Sequence, residues 1–334
     1  MTGKERILGA LMGVAYGDAM GMPSEFFTRA QILERFGEIR DLLPGHPDSF
    51  ISSSFQAGDV TDDTLMTLMV AEMLIENQGR VDPARFVERL RAWAGQAGKG
   101  KQVIGPSTRA ALDRIAQGAD MAEAGKAGTT NGAAMKVAPL GMIADMEDPP
   151  ALVEQVRLLC LPTHNTGAAI SGACAVAAAV GCAISGEQSI DILIAVAVRA
   201  ARLGEREGYP VVSPSVAERI LWAADLVRAP GTDEEALERV YTLVGTGLPI
   251  ADSVPSAFAM LTLSGGDPVR CARLCANLGG DTDTIGSMAT AICGALRGPG
   301  AFPAGSIHRI ERINGMNLHQ TAEDLWRSRR GSPQ

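Results

Sequence analysis

The stretch NLGGDTDTIGSMATAICGAL, residues 277–296, combines two features that decide how the rest of the chain is interpreted. It places Asp281 and Asp283 one residue apart, between glycines and threonines, just ahead of a run of small apolar residues. The small-residue run is typical of a helix that packs very closely against its neighbours. Two carboxylates this close raise each other's pKa unless a cation lies between them or water surrounds them. The stretch therefore predicts either a solvated helix start or a cation site.

The composition around this stretch favours an all-α protein. The chain has 334 residues, of which 46% are hydrophobic, only 4% are aromatic and 38 are glycine. Helical periodicity recurs between Gly, Pro, Asn and Asp breaks, and alternating β-branched runs are nearly absent, so only residues 209–213 suggest a strand. We expect a compact orthogonal multi-helix bundle formed by one domain, residues 1–330. The periodicity predicts helices at 3–17, 29–36, 62–78, 82–95, 107–117, 132–144, 150–159, 166–185, 188–203, 214–228, 233–244, 252–263, 267–277 and 284–297.

Several protein classes are disfavoured by charge and composition. The net charge is −8, and no basic stripe runs along the chain, so we expect no nucleic-acid partner. Residues 165–186 are uncharged and long enough to cross a bilayer, but they are mostly Ala and Gly, so we expect a buried core helix and no membrane span. Six cysteines without a Cys-x-x-Cys pair argue against structural zinc and disulfides and are typical of a reducing cytoplasm.

A second acidic cluster lies in GDVTDDT, residues 58–64, at the start of an amphipathic helix. Taken alone, either cluster is explained by capping, because Thr and Asp satisfy free N–H groups at helix starts and suit the helix dipole. Together, the four aspartates and two threonines form a set of hard oxygen ligands, which suits Mg²⁺, Mn²⁺ or Ca²⁺ rather than zinc or copper. An EF-hand is excluded, because Ile292 occupies the position of its last acidic ligand.

One further motif has to be rejected. Residues 95–101 have the spacing of a phosphate-binding P-loop, with Gly95, Gly100 and Lys101 at the required positions. Gln102 follows where Ser or Thr must hold Mg²⁺, and no strand precedes the run. We therefore do not predict a P-loop.

Five separated motifs give the chain a family resemblance. It resembles the ADP-ribosylglycohydrolases and is similar to dinitrogenase reductase-activating glycohydrolases and eukaryotic ADP-ribosyl hydrolases. The resemblance covers nearly the whole chain, and the order and spacing of the motifs match. The motifs are GVAYGDAMGMPSEF at 13–26, TDDT at 61–64, NGAAMKVAPLG at 131–141, THNTGAAISGA at 163–173 and NLGGDTDTIGSMATAICGAL at 277–296.

The resemblance implies an all-α bundle with two Mg²⁺ ions, or Mn²⁺ in their place, at helix N-termini. It also implies hydrolysis of a glycosidic bond at C1 of a ribose by water that the cations make more acidic. The implied metal ligands are Thr61, Asp62, Asp63, Asp281, Asp283 and Thr284. The implied catalytic residues are Glu25, Asp62 and Asp63, any of which can accept the proton of the water. The implied substrate-binding residues are Asn131, Gly132, Ala133 and His164.

The substrate stays open at this point. The first hypothesis is release of an ADP-ribosyl group from a protein side chain or a small molecule. The second is hydrolysis of a nucleoside-like N-ribosyl metabolite, because Ala133 and Lys136 stand where relatives often carry Ser and Arg, and because residues 205–223 are expected to narrow the pocket. The third is a non-catalytic family member that binds metal or ADP-ribose. No heptad seam is present, and we expect a monomer.

Overall fold

The computed structural model describes residues 1–95 and 104–331, and within these ranges the fold is helical, without a strand. Most of the P-loop-like run at 95–101 lies outside the described residues. Two isolated backbone bridges, Thr130 with Pro249 and Thr166 with Tyr209, are the only extended pairings in the described ranges. The all-α prediction is confirmed.

The described ranges contain seventeen α-helices, three short 3₁₀ turns and one π-helical turn, joined by loops. The helices are α1 Gly3–Gly21, α2 Arg29–Phe36, α3 Asp62–Glu76, α4 Pro83–Ala94, α5 Pro106–Ala116, α6 Met121–Gly125, α7 Ala138–Ile143, α8 Pro149–Cys160, α9 Gly167–Ile184, α10 Ile190–Gly204, α11 Val216–Arg228, α12 Asp233–Arg239, α13 Ile250–Ser264, α14 Pro268–Ala276, α15 Thr282–Arg297, α16 Ala304–Asn314 and α17 Leu318–Gly331. The 3₁₀ turns are Met22–Ser24, Asn131–Ala133 and Pro299–Ala301, and the π-helical turn is Val240–Val244.

The pairing of α1 with α15 positions the site described below. Glycines recur at every fourth residue of α1, and a Cβ atom at any of them would overlap the backbone of α15 or, at Gly9, of Gly298 as well. Because only glycine permits this approach, the helix axes lie unusually close together. The contact ends where Gly21 meets the backbone of Thr282 and Asp283. The chain leaving α1 is therefore placed directly beside the first turn of α15. The four glycines are Gly9, Gly13, Gly17 and Gly21.

Helix α9 lies in the core, as expected for the uncharged run. It is long and apolar enough to cross a membrane, but 94% of it is buried inside the protein. Its alanines and glycines let α7 approach, since a Cβ at Gly141 of α7 would overlap the carbonyl oxygen of Ala177. Five of the six cysteines are buried, and all six are free thiols.

Two local predictions were wrong, and three helices were not predicted. The helix expected at 132–144 is a 3₁₀ turn followed by the short helix α7, because Pro139 has no N–H and is tolerated only in the first helical turn. The strand expected at 209–213 is reduced to the single bridge of Tyr209, and Pro210 and Pro214 limit further pairing. The helices α6, α16 and α17 were not expected; α16 and α17 carry many charged residues, which obscure their apolar faces.

Candidate active site

The first turns of α3 and α15 bring the two acidic clusters together. Thr61 is the N-cap of α3 and Asp281 is the N-cap of α15. The hydroxyl of Thr284 donates a 3.3 Å hydrogen bond to Oδ2 of Asp63, and the hydroxyl of Thr61 donates to the same oxygen at 3.1 Å. Residues more than 200 positions apart in the sequence thus share one carboxylate oxygen. All four aspartates of the two clusters are buried.

Glu25 joins this group from a third segment. It follows the 3₁₀ turn Met22–Ser24, which the close packing of α1 on α15 holds in place. The next residue, Phe26, donates its N–H to the carbonyl of Gly280 at 2.7 Å, and Gly280 donates back to the carbonyl of Phe27 at 2.9 Å. As a result, ligand oxygens of Glu25, Asp281 and Asp283 lie within 4.8 Å of one another.

The electrostatics of the cluster are unfavourable without a cation. Burial raises the pKa of Glu25, Asp62, Asp63 and Asp283 well above the usual range, and the neighbouring carboxylates raise these pKa values further. Burial also raises the pKa of Asp281. Like charges at this distance, removed from water, disfavour ionisation of one another. Either protons or a positive ion must therefore neutralise the group.

Three carboxylate oxygens in this cluster are buried and lack a hydrogen-bond partner: Oε2 of Glu25, Oδ1 of Asp63 and Oδ1 of Asp283. Buried polar atoms are nearly always paired, so three orphaned acceptors at one place require an explanation. They come from three different segments, and each is a hard anionic oxygen of the kind that Mg²⁺ and Mn²⁺ prefer. The donor set fits divalent cations.

The sequence interpretation missed Asp18, which is fully buried. Its carboxylate accepts hydrogen bonds from the N–H groups of Thr61 at 3.0 Å and Thr64 at 3.1 Å, and from the hydroxyl of Thr64 at 2.5 Å. These bonds fix the start of α3 against α1. Burial raises the pKa of Asp18 to about 6. The available signal was an acid within an otherwise apolar run of the first motif.

A cavity of about 400 Å³ opens onto the acidic cluster. Its walls contain Glu25, Asp62, Asp63, Asp281, Asp283 and Thr284 on the acidic side, and Asn131 and Gly132 on another side. The side-chain amide of Asn131 donates to Oδ2 of Asp281, which connects the two sides. A larger groove of about 1030 Å³ between α2, α12 and α14 contains none of the expected site residues, and its charged residues are largely paired with one another. The candidate active site is therefore the smaller cavity.

The remaining expected substrate residues lie behind the cavity wall. Ala133 and His164 are fully buried and do not line the cavity. The ring of His164 hydrogen-bonds through Nε2 to the hydroxyl of Thr130 at 3.0 Å and through Nδ1 to that of Thr163 at 2.8 Å. Burial, and secondarily the charge of Lys136, lower the pKa of His164 well below its usual value, which keeps the ring neutral. His164 thus packs on the side of the Asn131 loop that faces away from the cavity, and its hydrogen bond to Thr130 holds this loop in place.

Lys136 supports the same loop. Its side chain is buried, and its ammonium group donates to the carbonyl oxygen of Gly132. Burial lowers the pKa of Lys136 to about 8, while Asp62 and Asp63 act in the opposite direction. Lys136 is therefore a buried cation near the acidic cluster, although it does not line the cavity.

The expectation that residues 205–223 narrow the pocket was wrong. None of these residues lines the cavity. Tyr209 instead pairs through its backbone with the segment before α9, where it donates to Asn165 at 2.9 Å and accepts from Gly167 at 3.0 Å. These backbone hydrogen bonds hold the segment against the start of α9.

Comparison with known proteins bears on the family and the fold of the chain. The family model described as ADP-ribosylglycohydrolase matches residues 1–334. The uncharacterised protein YegU of Escherichia coli strain K12 is 40% identical over 326 residues, which is 97% of each chain. The ADP-ribosyl-dinitrogen reductase glycohydrolase of Rhodospirillum rubrum is 33% identical over 175 residues, 49% of this chain and 54% of that protein. A solved structure described as an ADP-ribosylglycohydrolase-related protein complex has a TM-score of 0.72 and 26% identity, and the match covers 98% of this chain and 99% of that one.

The chain belongs to the ADP-ribosylglycohydrolase family, a family of hydrolases. The resemblance inferred from the five motifs is confirmed, and so is the expected fold.

Proposed function

We propose that this protein is a divalent-metal-dependent glycosidase that hydrolyses the C1 bond of an ADP-ribosyl group carried by a protein side chain or a small molecule. The observation that carries the proposal is the set of three orphaned carboxylate oxygens, from Glu25, Asp63 and Asp283, on the wall of one cavity. The proposed cofactors are two Mg²⁺ ions, with Mn²⁺ as the alternative. The proposed ligands are Thr61, Asp62, Asp63, Asp281, Asp283 and Thr284.

The ions, when bound, polarise ribose oxygens and make nearby water more acidic. The chain's own residues supply the rest of the chemistry. Glu25, Asp62 and Asp63 line the cavity as carboxylates, and any of the three can accept the proton of the attacking water. As the bond at C1 breaks, positive charge grows on the sugar ring, and the surrounding carboxylates stabilise it.

The loop at 128–136 has a separate, orienting role. We assign Asn131 and Gly132 as substrate contacts because both line the cavity, and Asn131 also fixes the orientation of the Asp281 carboxylate. Ala133 and His164 contribute by shaping this loop, since Ala133 is a buried residue of the loop itself and His164 is buried against it. A neutral His164 that bonds to Thr130 holds the loop without adding charge to the site.

A second candidate is hydrolysis of a nucleoside-like N-ribosyl metabolite. The observation that favours it is the charge of the cavity wall, on which the described residues include five acids and three threonines and no Lys or Arg. A pyrophosphate is usually bound with basic side chains, whereas a neutral ribosyl compound needs none.

One assay separates these functions from a non-catalytic role. The EDTA-treated protein is supplied with Mg²⁺, Mn²⁺ or no metal and is incubated with ADP-ribosyl-arginine, ADP-ribosyl-serine, nucleosides and other ribosyl metabolites. Mass spectrometry then follows release of the leaving group. We expect metal-dependent release from an ADP-ribosyl conjugate. Release only from nucleosides or ribosyl metabolites supports the second candidate. If no compound is turned over, both catalytic candidates are contradicted and the non-catalytic binding role is favoured.

The setting of the activity is also part of the proposal. We propose that residues 1–330 act as one domain, that the protein is a cytoplasmic monomer, and that its partner is an ADP-ribosylated protein or a small ribosyl substrate. The six free cysteines support a reducing compartment.

A further inference from the structure

Two aromatic rings stack on each other at the wall of the active-site cavity. The rings of Phe26 and Phe50 have centroids 5.7 Å apart and an interplanar angle of 20°. Both residues line the cavity together with Glu25. Phe50 is 79% exposed. Its outer face is free to receive a further flat group.

Both rings are held in place before any ligand binds. Phe26 has a positive φ of 60°, a backbone conformation that costs free energy for a residue other than glycine. Its hydrogen bond to Gly280 maintains this conformation. Phe50 lies in a turn that two buried serines anchor: Oγ of Ser49 accepts from the N–H of Ser52 at 2.9 Å, and the hydroxyl of Ser52 donates to the carbonyl of Met22 at 3.2 Å. A preorganised aromatic surface loses little entropy on binding.

The two rings lie on the cavity wall next to Glu25, close to where C1 of a bound ribose is expected to react. Phe26 follows Glu25 directly, and the ligand oxygens of Glu25 lie within 4.8 Å of those of Asp281 and Asp283. A ribose whose C1 reacts at these carboxylates has its leaving group beside one wall of the cavity. The wall next to Glu25 is aromatic, whereas the wall around Asn131 and Gly132 offers amide and backbone groups that suit sugar oxygens.

The chemistry of an aromatic face in an acidic surrounding selects among leaving groups. A heteroaromatic ring stacks on phenylalanine, and a guanidinium ion combines stacking with cation–π attraction. The nearby carboxylates favour a leaving group that carries positive charge. An aliphatic hydroxyl, such as that of serine, gains little from either interaction.

We propose that Phe26 and Phe50 form a leaving-group platform, against which a flat, nitrogen-linked leaving group stacks while its bond to C1 is hydrolysed. The guanidinium of an arginine side chain and a heteroaromatic base share this chemistry. The platform makes the enzyme selective for N-linked over O-linked ribosyl groups. This inference rests on the proposed glycosidase function and names the substrate class of that same site.

The first test compares substrates on variants of Phe50. Phe50→Ala should lower kcat/KM about tenfold more on ADP-ribosyl-arginine or on a ribosylated heteroaromatic base than on ADP-ribosyl-serine, since stacking on one aromatic ring is worth about this factor. Phe50→Trp should restore the N-linked preference. Leu33→Ala is the matched control, because Leu33 is similarly exposed, at 71%, and does not line the cavity. An equal loss on N-linked and O-linked substrates would overturn the platform.

The second test does not depend on turnover. Agmatine, as a guanidinium probe, and nicotinamide, as a heteroaromatic probe, are titrated into the wild-type protein, Phe50→Ala and Leu33→Ala, and binding is followed by saturation-transfer NMR. We expect at least one probe to bind the wild type and Leu33→Ala and to lose most of its signal with Phe50→Ala; which probe responds distinguishes the two leaving groups. Equal signals from all three proteins, or no signal from the wild type, would overturn the proposal. Absence of wild-type turnover would instead count against the proposed glycosidase function.

Discussion

Removing divalent cations should destabilise the protein, and the effect should grow with pH. In the folded state, burial raises the pKa of Glu25, Asp62, Asp63 and Asp283 well above the unfolded values, so the fold retains their protons more strongly than the unfolded chain does. The contribution of these acids to the free energy of unfolding is fully present below their unfolded-state pKa values. It is lost as the pH rises towards their folded-state pKa values, because the unfolded chain then ionises groups that the fold keeps protonated. Bound cations neutralise the same charges and remove this loss.

The scale of the effect follows from the free energy of cation binding. For comparison, the pKa of Asp18, which supports the site, is raised from 3.8 to about 6, which corresponds to about 3 kcal/mol for ionising that one carboxyl group in the fold. A cation present at about 100 times its Kd raises the free energy of unfolding by about 2.7 kcal/mol. For 334 residues, an unfolding entropy of about 2.1 cal/mol/K per residue gives about 0.7 kcal/mol/K, so 2.7 kcal/mol divided by 0.7 is a Tm increase of about 4 °C.

The assay is scanning calorimetry in EDTA and in excess Mg²⁺ or Mn²⁺ between pH 5 and pH 8. The quantity to compare is the difference in Tm between metal and EDTA at each pH. His164, whose pKa is lowered by burial, acts in the opposite direction below about pH 6.5, but it is present in both samples and cancels. We expect a difference of about 4 °C at pH 8 that shrinks towards pH 5 as protons replace the cation. A difference that is zero, or that is larger at pH 5, would refute the reasoning.

The remaining predictions concern single residues. Asp283→Asn should abolish turnover, by about 100-fold or more, and weaken metal binding while the helical circular dichroism spectrum is kept, because one charge of the cluster is lost. Asp18→Ala should lower the free energy of unfolding by about 3 kcal/mol in urea, because it leaves the N–H groups of Thr61 and Thr64 buried without an acceptor. Gly13→Ala should cost about 1–3 kcal/mol or more, measured in the same way, because its Cβ would overlap the backbone of Thr290.

Two of these changes, Asp283→Asn and Gly13→Ala, have a matched control in the same chain. Asp225→Asn removes an exposed acid in α11, far from the cavity walls, and should leave metal affinity unchanged. Gly305→Ala places a Cβ in open space within α16 and should be neutral or stabilise by up to about 1 kcal/mol. Normal metal affinity in Asp283→Asn would remove that residue from the ligand set. Wild-type stability in Asp18→Ala or Gly13→Ala would contradict the role assigned to the start of α3 or to the α1–α15 contact.

The fold was predictable where local patterns are strong. The small-residue run after Asp283 predicted a closely packed helix, and the uncharged run predicted the core helix α9. The partner of α15 was not predictable from its own sequence, although the glycine spacing of four residues on α1 was a signal for it. The helical periodicity continues through 132–144, so only Pro139, which is tolerated in the first helical turn alone, signals the break before α7.

Some residues of the candidate site could likewise be predicted from the sequence, and others could not. Repulsion between paired acids, together with the family motifs, predicted that the clusters at 61–63 and 281–284 meet, and the structure places them in hydrogen-bond contact. The position of Asp18 within an otherwise apolar run is a signal in the sequence, but its role depends on which N–H groups lie opposite it after folding, and no pattern along the chain reports those partners. The exposed ring of Phe50 lies in an irregular turn without periodicity, so its place on the cavity wall appears only in three dimensions.

The most direct test of the account is a crystal structure with Mn²⁺, in which anomalous scattering locates the ions independently of the protein atoms. We predict anomalous peaks in the cavity at coordination distance from carboxylates of both helix starts, with Asp62 or Asp63 on one side and Asp281 or Asp283 on the other. Peaks confined to one helix start, or a cavity without any peak at saturating Mn²⁺, would contradict the claim that distant acids meet around divalent cations.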